Sequence, residues 1–417
     1  MTDDFHSGAI VIGAGLSGLA VAHELRRRNI PVTVLEGQDD VAQPWRSRHP
    51  QLRLNIHRHY AALPGREMTR DDGIFVRRDT VVKFLEDYAH DLAAHIQFGM
   101  QVRKVEKTPA GWRVFTDNGT WSAAHLIVAT GREQFATMPT WPGKERFSGQ
   151  IVHAAQFGDV KQYDGKRVLV VGAGNSGTDV LNHLSRHAAA KIWVSLRHGP
   201  SILPTRIFGF PLHRLAGLFL QFPRWSLDSL FAATQWAAFG NLRRHGMRRH
   251  RLGGNTRMVE EGVTFALDDG FVAALKSGRI KVVAETVGFT EKTVQLLDGR
   301  EIEADVVICA TGYRAGLHSL LHKFGVLNPA GYPLNPSGQP EGANPWLWFA
   351  GYSIHMKGFF HAAGDCAVRI ANAIAESEKR TGTVNNVTYG TPHLAQDMQK
   401  VNGATDEDNS IARPNPS

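Results

Sequence analysis

Cysteine is scarce in this chain. Only two are present among 417 residues, Cys309 and Cys366, and they are far apart and outside any C-x-x-C motif. A disulfide scaffold and a structural zinc site are therefore not expected. The redox-active dithiol of a disulfide reductase needs a closely spaced pair, so the sequence also disfavours that class of enzyme.

Long hydrophobic runs are missing as well. No apolar run approaches the roughly 18–20 residues that span a bilayer, and the first residues, MTDDFHSG, are too acidic and polar for a signal peptide. These absences predict a cytoplasmic protein without a transmembrane segment. Hydrophobic residues make up 42% and charged residues 21%, as in ordinary globular proteins, and the length suffices for two domains.

Metal-binding and hydrolytic signatures are the third absence. Twenty histidines are scattered without an H-E-x-x-H or comparable spacing, and no nucleophile and base form a recognisable pair. We therefore expect no metal site, and we expect the chemistry to belong to bound cofactors.

Positive charge is abundant. The formal net charge is +8, and arginines cluster in residues 242–257, at positions Arg243, Arg244, Arg248, Arg249, Arg251 and Arg257. The cluster is either an anion-facing patch, for a polyphosphate cofactor, nucleic acid or a membrane surface, or a solvated helix face. Few aromatic residues interleave with the arginines, so no nucleic-acid partner is predicted.

A first glycine-rich turn follows a short apolar run that is typical of a buried parallel strand. Residues 13–18, Gly-Ala-Gly-Leu-Ser-Gly, fit G-x-G-x-x-G. Gly13 permits the tight turn, Gly15 lets a pyrophosphate approach the backbone, and Gly18 lets helix and strand pack closely. Glu36 ends the next predicted strand, where its carboxylate can accept hydrogen bonds from ribose hydroxyls. This unit predicts a bound adenine dinucleotide.

A second turn repeats the pattern at residues 172–177, Gly-Ala-Gly-Asn-Ser-Gly. No acidic residue occurs from Lys191 to Arg206, and Arg197 and His198 stand where a carboxylate would otherwise end the following strand. A guanidinium can bind a 2′-phosphate in a fork, whereas a carboxylate would repel it. The second unit therefore favours NADPH over NADH.

The two units predict an α/β fold with two Rossmann-like dinucleotide-binding domains. Strands ending in Ala-Thr-Gly at 129–131 and 310–312 suggest that one domain is inserted into the other. The FAD-binding domain is expected at 1–160 and 305–382, the NADPH-binding domain at 161–304 with a helical insert at about 205–255, and a loosely ordered tail at 383–417. The apolar residues of 205–240 could be core, a substrate-pocket wall or lid, or a membrane-contact surface.

Several motifs together resemble one family. They are residues 13–18, Phe147-x-Gly149-x-x-x-His153, residues 172–177 and Ala310-Thr311-Gly312-Tyr313. This set is similar to the flavin-containing monooxygenases, the class B flavoprotein monooxygenases. Further stretches, such as Ser201-Ile202-Leu203-Pro204 and Asp298 to Asp305, are most similar to the YUCCA-type branch and its bacterial relatives. The resemblance covers roughly residues 8–380.

The resemblance implies FAD and NADPH as cofactors and O2 and a small apolar or aromatic molecule as substrates. In the family, NADPH reduces FAD, and oxygen adds to the reduced flavin as a C4a-(hydro)peroxide that is shielded from water. Attack on a carbonyl would give Baeyer–Villiger oxidation or oxidative decarboxylation of a 2-oxo acid, which the YUCCA likeness favours. Oxygenation of nitrogen or sulfur, a flavin or disulfide-type reductase, and a non-catalytic FAD/NADP redox sensor are the alternatives. Whether the chain forms a homodimer is left open.

The resemblance also assigns residues. Asn55 and His153 are the catalytic candidates, although the family likeness gives His153 a role in positioning the inter-domain linker, and Asn55 has a structural alternative. Asp365 could instead cap a helix. The full set of expected cofactor-binding residues is Gly13, Gly15, Ser17, Gly18, Glu36, Trp45, Arg46, Leu54, Thr130, Gly131, Gly172, Gly174, Asn175, Ser176, Gly177, Arg197, Thr311, Gly312, Tyr313 and Asp365.

Overall fold

The structure, a computed structural model, describes residues 4–381. The tail expected at 383–417 lies outside the described residues. The first part of the chain contains helices α1 (Leu16–Arg26), α2 (Gln43–Arg46) and α3 (Arg78–His90). Its strands are β1 (Asp4–Ile12), β2 (Val32–Leu35), β3 (Ile96–Gln97), β4 (Val102–Thr108), β5 (Gly111–Thr116), β6 (Gly119–Val128), β7 (Phe135–Ala136) and β8 (Gln150–His153).

The middle of the chain is mixed. Its helices are α4 (Asn175–Leu184), α5 (Ala216–Phe219), α6 (Arg224–Phe239), α7 (Gly254–Glu260) and α8 (Phe271–Lys276). Its strands are β9 (Arg167–Val171), β10 (Lys191–Ser195), β11 (Ile202–Pro204), β12 (Arg206–Ile207), β13 (Phe210–Pro211), β14 (Ala266–Asp268), β15 (Ile280–Val283), β16 (Thr286–Phe289), β17 (Val294–Leu296) and β18 (Glu301–Ile302). The last part adds β19 (Val306–Cys309), β20 (Tyr313–Arg314), β21 (Leu347–Phe349), α9 (His318–Leu321) and α10 (Phe359–Thr381).

The first sheet has the order β3-β2-β1-β6-β5-β4, with β21 also paired to β6. Strands β3, β2, β1, β6 and β21 are parallel, whereas β4, β5 and β6 form an antiparallel meander. The long strand β6 pairs with β5 through its first half and with β21 through its second half. Helices α1, α3 and α10 cover one face, where the apolar residues of β1 and β2 are buried.

The second sheet has the order β15-β10-β9-β19-β8, and its strands are all parallel. Helices α4 and α8 pack on one face, and the antiparallel strands β16, β17 and β18 contribute to the core of the other. The α/β fold with Rossmann-like parallel cores is therefore confirmed. Within the described residues no helix is both long and apolar enough to cross a bilayer.

The sheet membership of two strands differs from the boundaries expected from the sequence. Strands β8 and β19 lie outside 161–304, yet both belong to the second sheet, with β19 between β9 and β8. Val307 and Ile308 are fully buried there, and the strand provides the central position that a continuous parallel core requires. The second unit thus recruits strands from both flanks of the inserted segment.

The insert at 205–255 is only partly helical. Its first residues form a short β-hairpin, β12 paired with β13, instead of the expected helix. The tip of the hairpin has positive φ at Phe208 (49°) and Gly209 (80°), a conformation that a helix does not contain. Helices α5, α6 and α7 follow, and α6 and α7 lie against each other.

Candidate cofactor-binding cleft

The first glycine-rich turn connects β1 to α1, and its three glycines have different surroundings. A Cβ on Gly13, where φ is +104°, would lie 2.8 Å from the carbonyl oxygen of Ala129, and a Cβ on Gly18 would lie 1.9 Å from that of Gly13. A Cβ on Gly15 would meet no protein atom within 4 Å. Gly13 and Gly18 are therefore required by the fold, whereas Gly15 borders open space.

The open space lies at the N-terminus of α1. Gly15 is the N-cap, no side chain caps the helix, and its first turn has no acidic residue. The helix dipole and the free N–H groups therefore favour an anion at this end. Glu36 braces the turn, because its two carboxylate oxygens accept hydrogen bonds from the backbone N–H groups of Ala14 (2.7 Å) and Gln38 (3.0 Å).

The second turn, between β9 and α4, has the same construction. A Cβ on Gly172, where φ is +93°, would lie 2.7 Å from the carbonyl oxygen of Ala310, and one on Gly177 would lie 2.1 Å from that of Gly172. A Cβ on Gly174 would again meet nothing within 4 Å. No side chain caps α4 and no acidic residue occupies its first turn. Asn175 and Ser176 are the first two residues of this helix.

Arg197 follows β10 at the edge of the second sheet, and its side chain is 76% exposed. Glu285 follows the neighbouring strand β15, and its Oε1 lies 3.4 Å from Arg197 Nε. The sequence around Arg197 contains no acid, but parallel neighbours end at the same edge of a sheet, so the fold supplies one from 88 residues away. An exposed ion pair of this kind is worth only ~0–1 kcal/mol, so the guanidinium remains available to another anion.

Part of the arginine cluster lies beside Arg197. The Gly199 N–H donates to the carbonyl oxygen of Arg248 at 2.6 Å, and the rings of His198 and His250 contact each other edge to face at 5.2 Å. The exposed segment around Arg248 therefore runs along the loop that follows β10. Arg197 and the arginine-rich segment around Arg248 therefore lie at the same edge of the second unit.

The ends of β6 and β19 are alike. Gly131 and Gly312 have φ of +88° and +85°, and a Cβ on either would meet no protein atom within 4 Å. The preceding threonines anchor these ends: Thr130 shares a 2.9 Å hydrogen bond with the Tyr352 hydroxyl, and Thr311 Oγ1 donates to the Thr137 carbonyl at 2.5 Å. The Tyr313 hydroxyl accepts a hydrogen bond from Arg48, and burial raises the pKa of that hydroxyl.

His153, at the end of β8, is engaged at both ring nitrogens. Nδ1 accepts from the Ala155 N–H at 3.1 Å, so Nε2 carries the proton and donates to the Gly312 carbonyl at 3.1 Å. Its side chain is buried, and burial lowers its pKa, so the ring is neutral at pH 7. The structure therefore ties His153 to the Gly312 backbone, and its role in positioning the inter-domain linker stays a prediction.

Asn55 lies where three segments meet. Its neighbour Ile56 packs so closely on Gly358 that a Cβ there would lie 2.6 Å from the Ile56 side chain. The His57 N–H donates to His213 Nδ1 at 3.1 Å, and His213 Nε2 donates to the Met356 carbonyl at 3.0 Å. Burial lowers the pKa of His213 to about 4, so this bridge between the insert and the 356–358 segment is uncharged at pH 7.

The other expected residues lie mostly within the first unit. Leu54 is buried in its core, and the Trp45 ring lies 6.0 Å from that of Phe360 at the start of α10. Arg46 forms ion pairs with Asp40 (2.7 Å) and with Glu86. These pairs hold the Arg46 side chain against α3.

Ser17 and Asp365 complete the expected set. A Cβ on Gly351 would lie 2.5 Å from Ser17 Oγ, which places the segment after β21 directly against the first turn of α1. Asp365 does not cap a helix, because α10 already begins at Phe359. Its carboxylate instead lies 3.4 Å from His361, one turn earlier on the same helix.

A group of three side chains was not foreseen. His49 from the first unit and Asp179 and His183 on α4 could together hold a metal ion. His49 Nε2 lies 2.7 Å from an Asp179 oxygen, and His183 Nε2 lies 3.5 Å from the other. Burial alone would raise the pKa of Asp179, but hydrogen bonds from His183 and His49 outweigh it and lower the pKa to about 2. We interpret the group as a hydrogen-bonded contact between the two units, which sequence spacing could not reveal.

The two cysteines contribute no dithiol. Cys309 on β19 and Cys366 on α10 are both free and buried. Burial raises the pKa of each thiol to about 11. Thiol–disulfide chemistry, which needs an accessible thiolate, therefore has no support in this protein.

Two sheets with parallel cores, each with a glycine-rich turn open at the N-terminus of a helix, are the arrangement expected of two dinucleotide-binding units. The model of the family described as flavin-binding monooxygenase-like matches residues 8–322. The chain therefore belongs to this family of flavin-containing monooxygenases.

Two plant relatives illustrate the similarity. The probable indole-3-pyruvate monooxygenase YUCCA3 of Arabidopsis thaliana is 31% identical over 400 residues, 93% of this chain and 91% of that protein. Indole-3-pyruvate monooxygenase YUCCA1 of Oryza sativa subsp. japonica is 34% identical over 325 residues, 77% of this chain and 80% of that protein.

Solved structures share the fold at lower identity. A flavin-containing monooxygenase from Stenotrophomonas maltophilia superposes with a TM-score of 0.65 at 23% identity, covering 88% of this chain and 99% of that one. An oxidised steroid monooxygenase bound to NADP superposes with a TM-score of 0.68 at 19% identity, covering 90% of this chain and 86% of that one.

Proposed function

We propose that the protein is an NADPH-dependent monooxygenase that holds FAD on the first turn and NADPH on the second. The observation that carries this proposal is the paired openness at Gly15 and Gly174, where the fold does not use the space that a side chain would fill. Both positions face an uncapped helix N-terminus, which suits a pyrophosphate. The family membership supplies the reaction class.

The assignment divides the chain by its sheets. The first sheet, with α1, α3 and α10, is the proposed FAD domain, and the second sheet, including β8 and β19, is the proposed NADPH domain. Glu36, already hydrogen-bonded to the turn, retains lone pairs that can accept from the ribose of FAD. We propose that Arg197, at the corresponding edge of the second sheet, binds the 2′-phosphate of NADPH.

The chemistry that FAD supplies when bound is the activation of O2 after reduction by NADPH. We propose that nearby side chains fix the backbone segments around the bound FAD. His153 fixes the Gly312–Tyr313 segment through its Nε2 proton, and His213 links the insert to the 356–358 segment beside Asn55. Asn55 is the amide proposed to contact the cofactors there.

We propose a 2-oxo acid with an aromatic or apolar side chain as the substrate class. The support is the similarity to plant relatives named as indole-3-pyruvate monooxygenases, which extends over most of both chains. The reaction would consume one O2 and one NADPH with a proton. The bond between the carboxyl and the keto carbon breaks, CO2 leaves, one oxygen atom enters the new carboxylate, and the other leaves as water.

The test is a substrate panel with purified, FAD-loaded protein. NADPH consumption and product mass would be followed for indole-3-pyruvate, phenylpyruvate, cyclohexanone and an aryl methyl sulfide. We expect the two 2-oxo acids to yield acids shorter by one carbon. Sulfoxide as the main product would instead support the oxygenation of heteroatoms, and hydrogen peroxide alone with every compound would refute the monooxygenase assignment.

A further inference from the structure

The charges of this chain are segregated. Residues 180–259 contain twelve Lys and Arg residues but a single acidic one, Asp228, which gives the segment a formal charge of +11. The rest of the chain carries −3, so the segment accounts for the entire positive charge of the protein. The Asp228 carboxylate is already engaged within the segment, because one of its oxygens accepts hydrogen bonds from the backbone N–H groups of Asn255 (2.7 Å) and Thr256 (3.2 Å). Three of the twelve cations, Arg186, Arg197 and Arg257, pair with carboxylates outside the segment. The excess of positive charge therefore lies with the other nine Lys and Arg residues.

Helix α6, in the middle of this segment, has an apolar outer face. Its inner face packs through Leu227 and Phe231, which are buried with Leu203. The positions that point to solvent from the second residue of the helix onward are Trp225, Ser229, Leu230, Ala233, Trp236, Ala237 and Ala238. Trp225 and Trp236 are 78% and 70% exposed. No charged residue lies on this face between Trp225 and the end of the helix, whereas a solvated helix normally carries charges there.

The chain that leads to α6 also exposes large hydrophobic side chains. Phe208, at the tip of the β12–β13 hairpin, is fully exposed, and Leu218, Leu220 and Phe222 are about half exposed. Eight of the sixteen exposed large hydrophobic residues of the described chain fall within residues 208–236. We name these eight, Phe208, Phe210, Leu218, Leu220, Phe222, Trp225, Leu230 and Trp236, the apolar surface.

We propose that the apolar surface and its flanking arginines dock the protein on a membrane that contains anionic lipids. Aromatic side chains inserted at the headgroup level together with surrounding Arg residues are the features that hold a protein in the plane of an interface. Arg224 precedes Trp225 at the start of α6, and Arg243 and Arg244 follow just after its end; all three are exposed. The contact is peripheral, since only this insert takes part.

Charge also distinguishes a membrane from a second copy of the chain. Two copies that met through the apolar surface would bring two segments of +11 together, and the repulsion would oppose association. An anionic lipid surface satisfies the same arginines and accepts the tryptophans. This inference is independent of the proposed reaction, because docking needs neither substrate nor turnover.

The experiment uses the full-length, FAD-loaded protein and flotation with vesicles of phosphatidylcholine alone or with about 30% phosphatidylglycerol. We expect binding to the mixed vesicles that weakens as salt rises, because the arginines are screened. The triple variant Phe208→Ser, Trp225→Ser, Trp236→Ser should bind at least about ten-fold more weakly, since the inserted apolar area is lost. The matched control is Leu297→Ser, Leu334→Ser, which changes residues that are 68% and 55% exposed outside the insert and should bind as the wild type does.

Neutralising Arg224, Arg243 and Arg244 to Gln should weaken binding to the mixed vesicles by about five-fold per arginine, with little effect on phosphatidylcholine alone. Circular dichroism and bound-FAD content would show that each variant is folded. No flotation of the wild type with mixed vesicles would overturn the proposal. A second result would also overturn the proposal: sedimentation equilibrium that shows a dimer of the wild type and a monomer of the triple aromatic variant. The apolar surface would then be the contact between two copies of the chain.

Discussion

Two glycines three residues apart in the first turn should respond differently to the same added methyl group, one with a loss of stability and the other with a loss of FAD affinity. At Gly18 a Cβ would lie 1.9 Å from the Gly13 carbonyl oxygen, more than 1 Å inside any normal contact. Both atoms belong to the backbone of the turn, so neither can rotate away. We expect Gly18→Ala to cost about 3 kcal/mol of overpacking, offset by about 1 kcal/mol of helix propensity, for a net loss near 2 kcal/mol.

At Gly15 the same methyl group meets no protein atom within 4 Å, and the backbone there is extended, with φ −79° and ψ −177°. The loss of a favourable N-cap and the gain from a stiffer unfolded chain roughly cancel, so apo-protein stability should change by less than about 1 kcal/mol. The methyl group would, however, occupy the space proposed for the FAD pyrophosphate. FAD affinity should therefore fall at least about ten-fold, or ~1.4 kcal/mol.

The assay has two readouts on the same samples. Urea denaturation of the apo-protein, followed by far-UV circular dichroism, measures stability, and titration with FAD measures affinity. Gly174→Ala is the matched control, since it adds the same methyl group to the second turn and should leave FAD affinity unchanged while weakening NADPH. Wild-type FAD affinity in Gly15→Ala, or wild-type stability in Gly18→Ala, would refute the reasoning.

Three further predictions concern charge and burial. Arg197→Ala should weaken NADPH binding much more than NADH binding. Glu285→Gln should strengthen NADPH binding by up to about five-fold, because it removes an ion pair worth ~0–1 kcal/mol that competes with the 2′-phosphate for Arg197; equal effects on both nucleotides in Kd measurements would contradict this. Burial lowers the pKa of His125 to about 4, so the unfolded chain takes up the proton first and stability is lost as pH falls from about 6.5 to 4. Unfolding free energy should drop by about 2 kcal/mol from pH 7.5 to 5 at this residue, and His125→Asn should show a correspondingly smaller drop in urea titrations. Asp179→Asn should cost about 1.5 kcal/mol in the same assay by weakening the contact with His49, and an unchanged midpoint would show that the contact contributes nothing.

Local patterns were enough to predict the fold of both units. Each glycine-rich turn follows a short apolar run and precedes a helical period, and these signals depend only on neighbouring residues. The structure confirms the strand, turn and helix at both places. The hairpin at the start of the insert was not predicted, because a phenylalanine gives no indication that its φ will be positive, as it is at Phe208.

Contacts between distant segments could not be predicted. β8 and β19 look like parts of the flanking domain, and only strand pairing shows that they belong to the second sheet. Glu285 reaches Arg197 because β15 and β10 are neighbours, a fact that depends on topology. The grouping of His49 with Asp179 likewise joins residues 130 positions apart. The cofactor assignments of individual residues remain predictions.

The central claim is that the protein transfers one oxygen atom from O2 to an organic substrate at the expense of NADPH. It is tested most directly by turnover of a 2-oxo acid under ¹⁸O2, with mass spectrometry of the product and parallel measurement of NADPH consumed. We predict one ¹⁸O atom in each product carboxylate and close to one product per NADPH. Product without ¹⁸O, or NADPH oxidation that yields only labelled hydrogen peroxide, would contradict the claim.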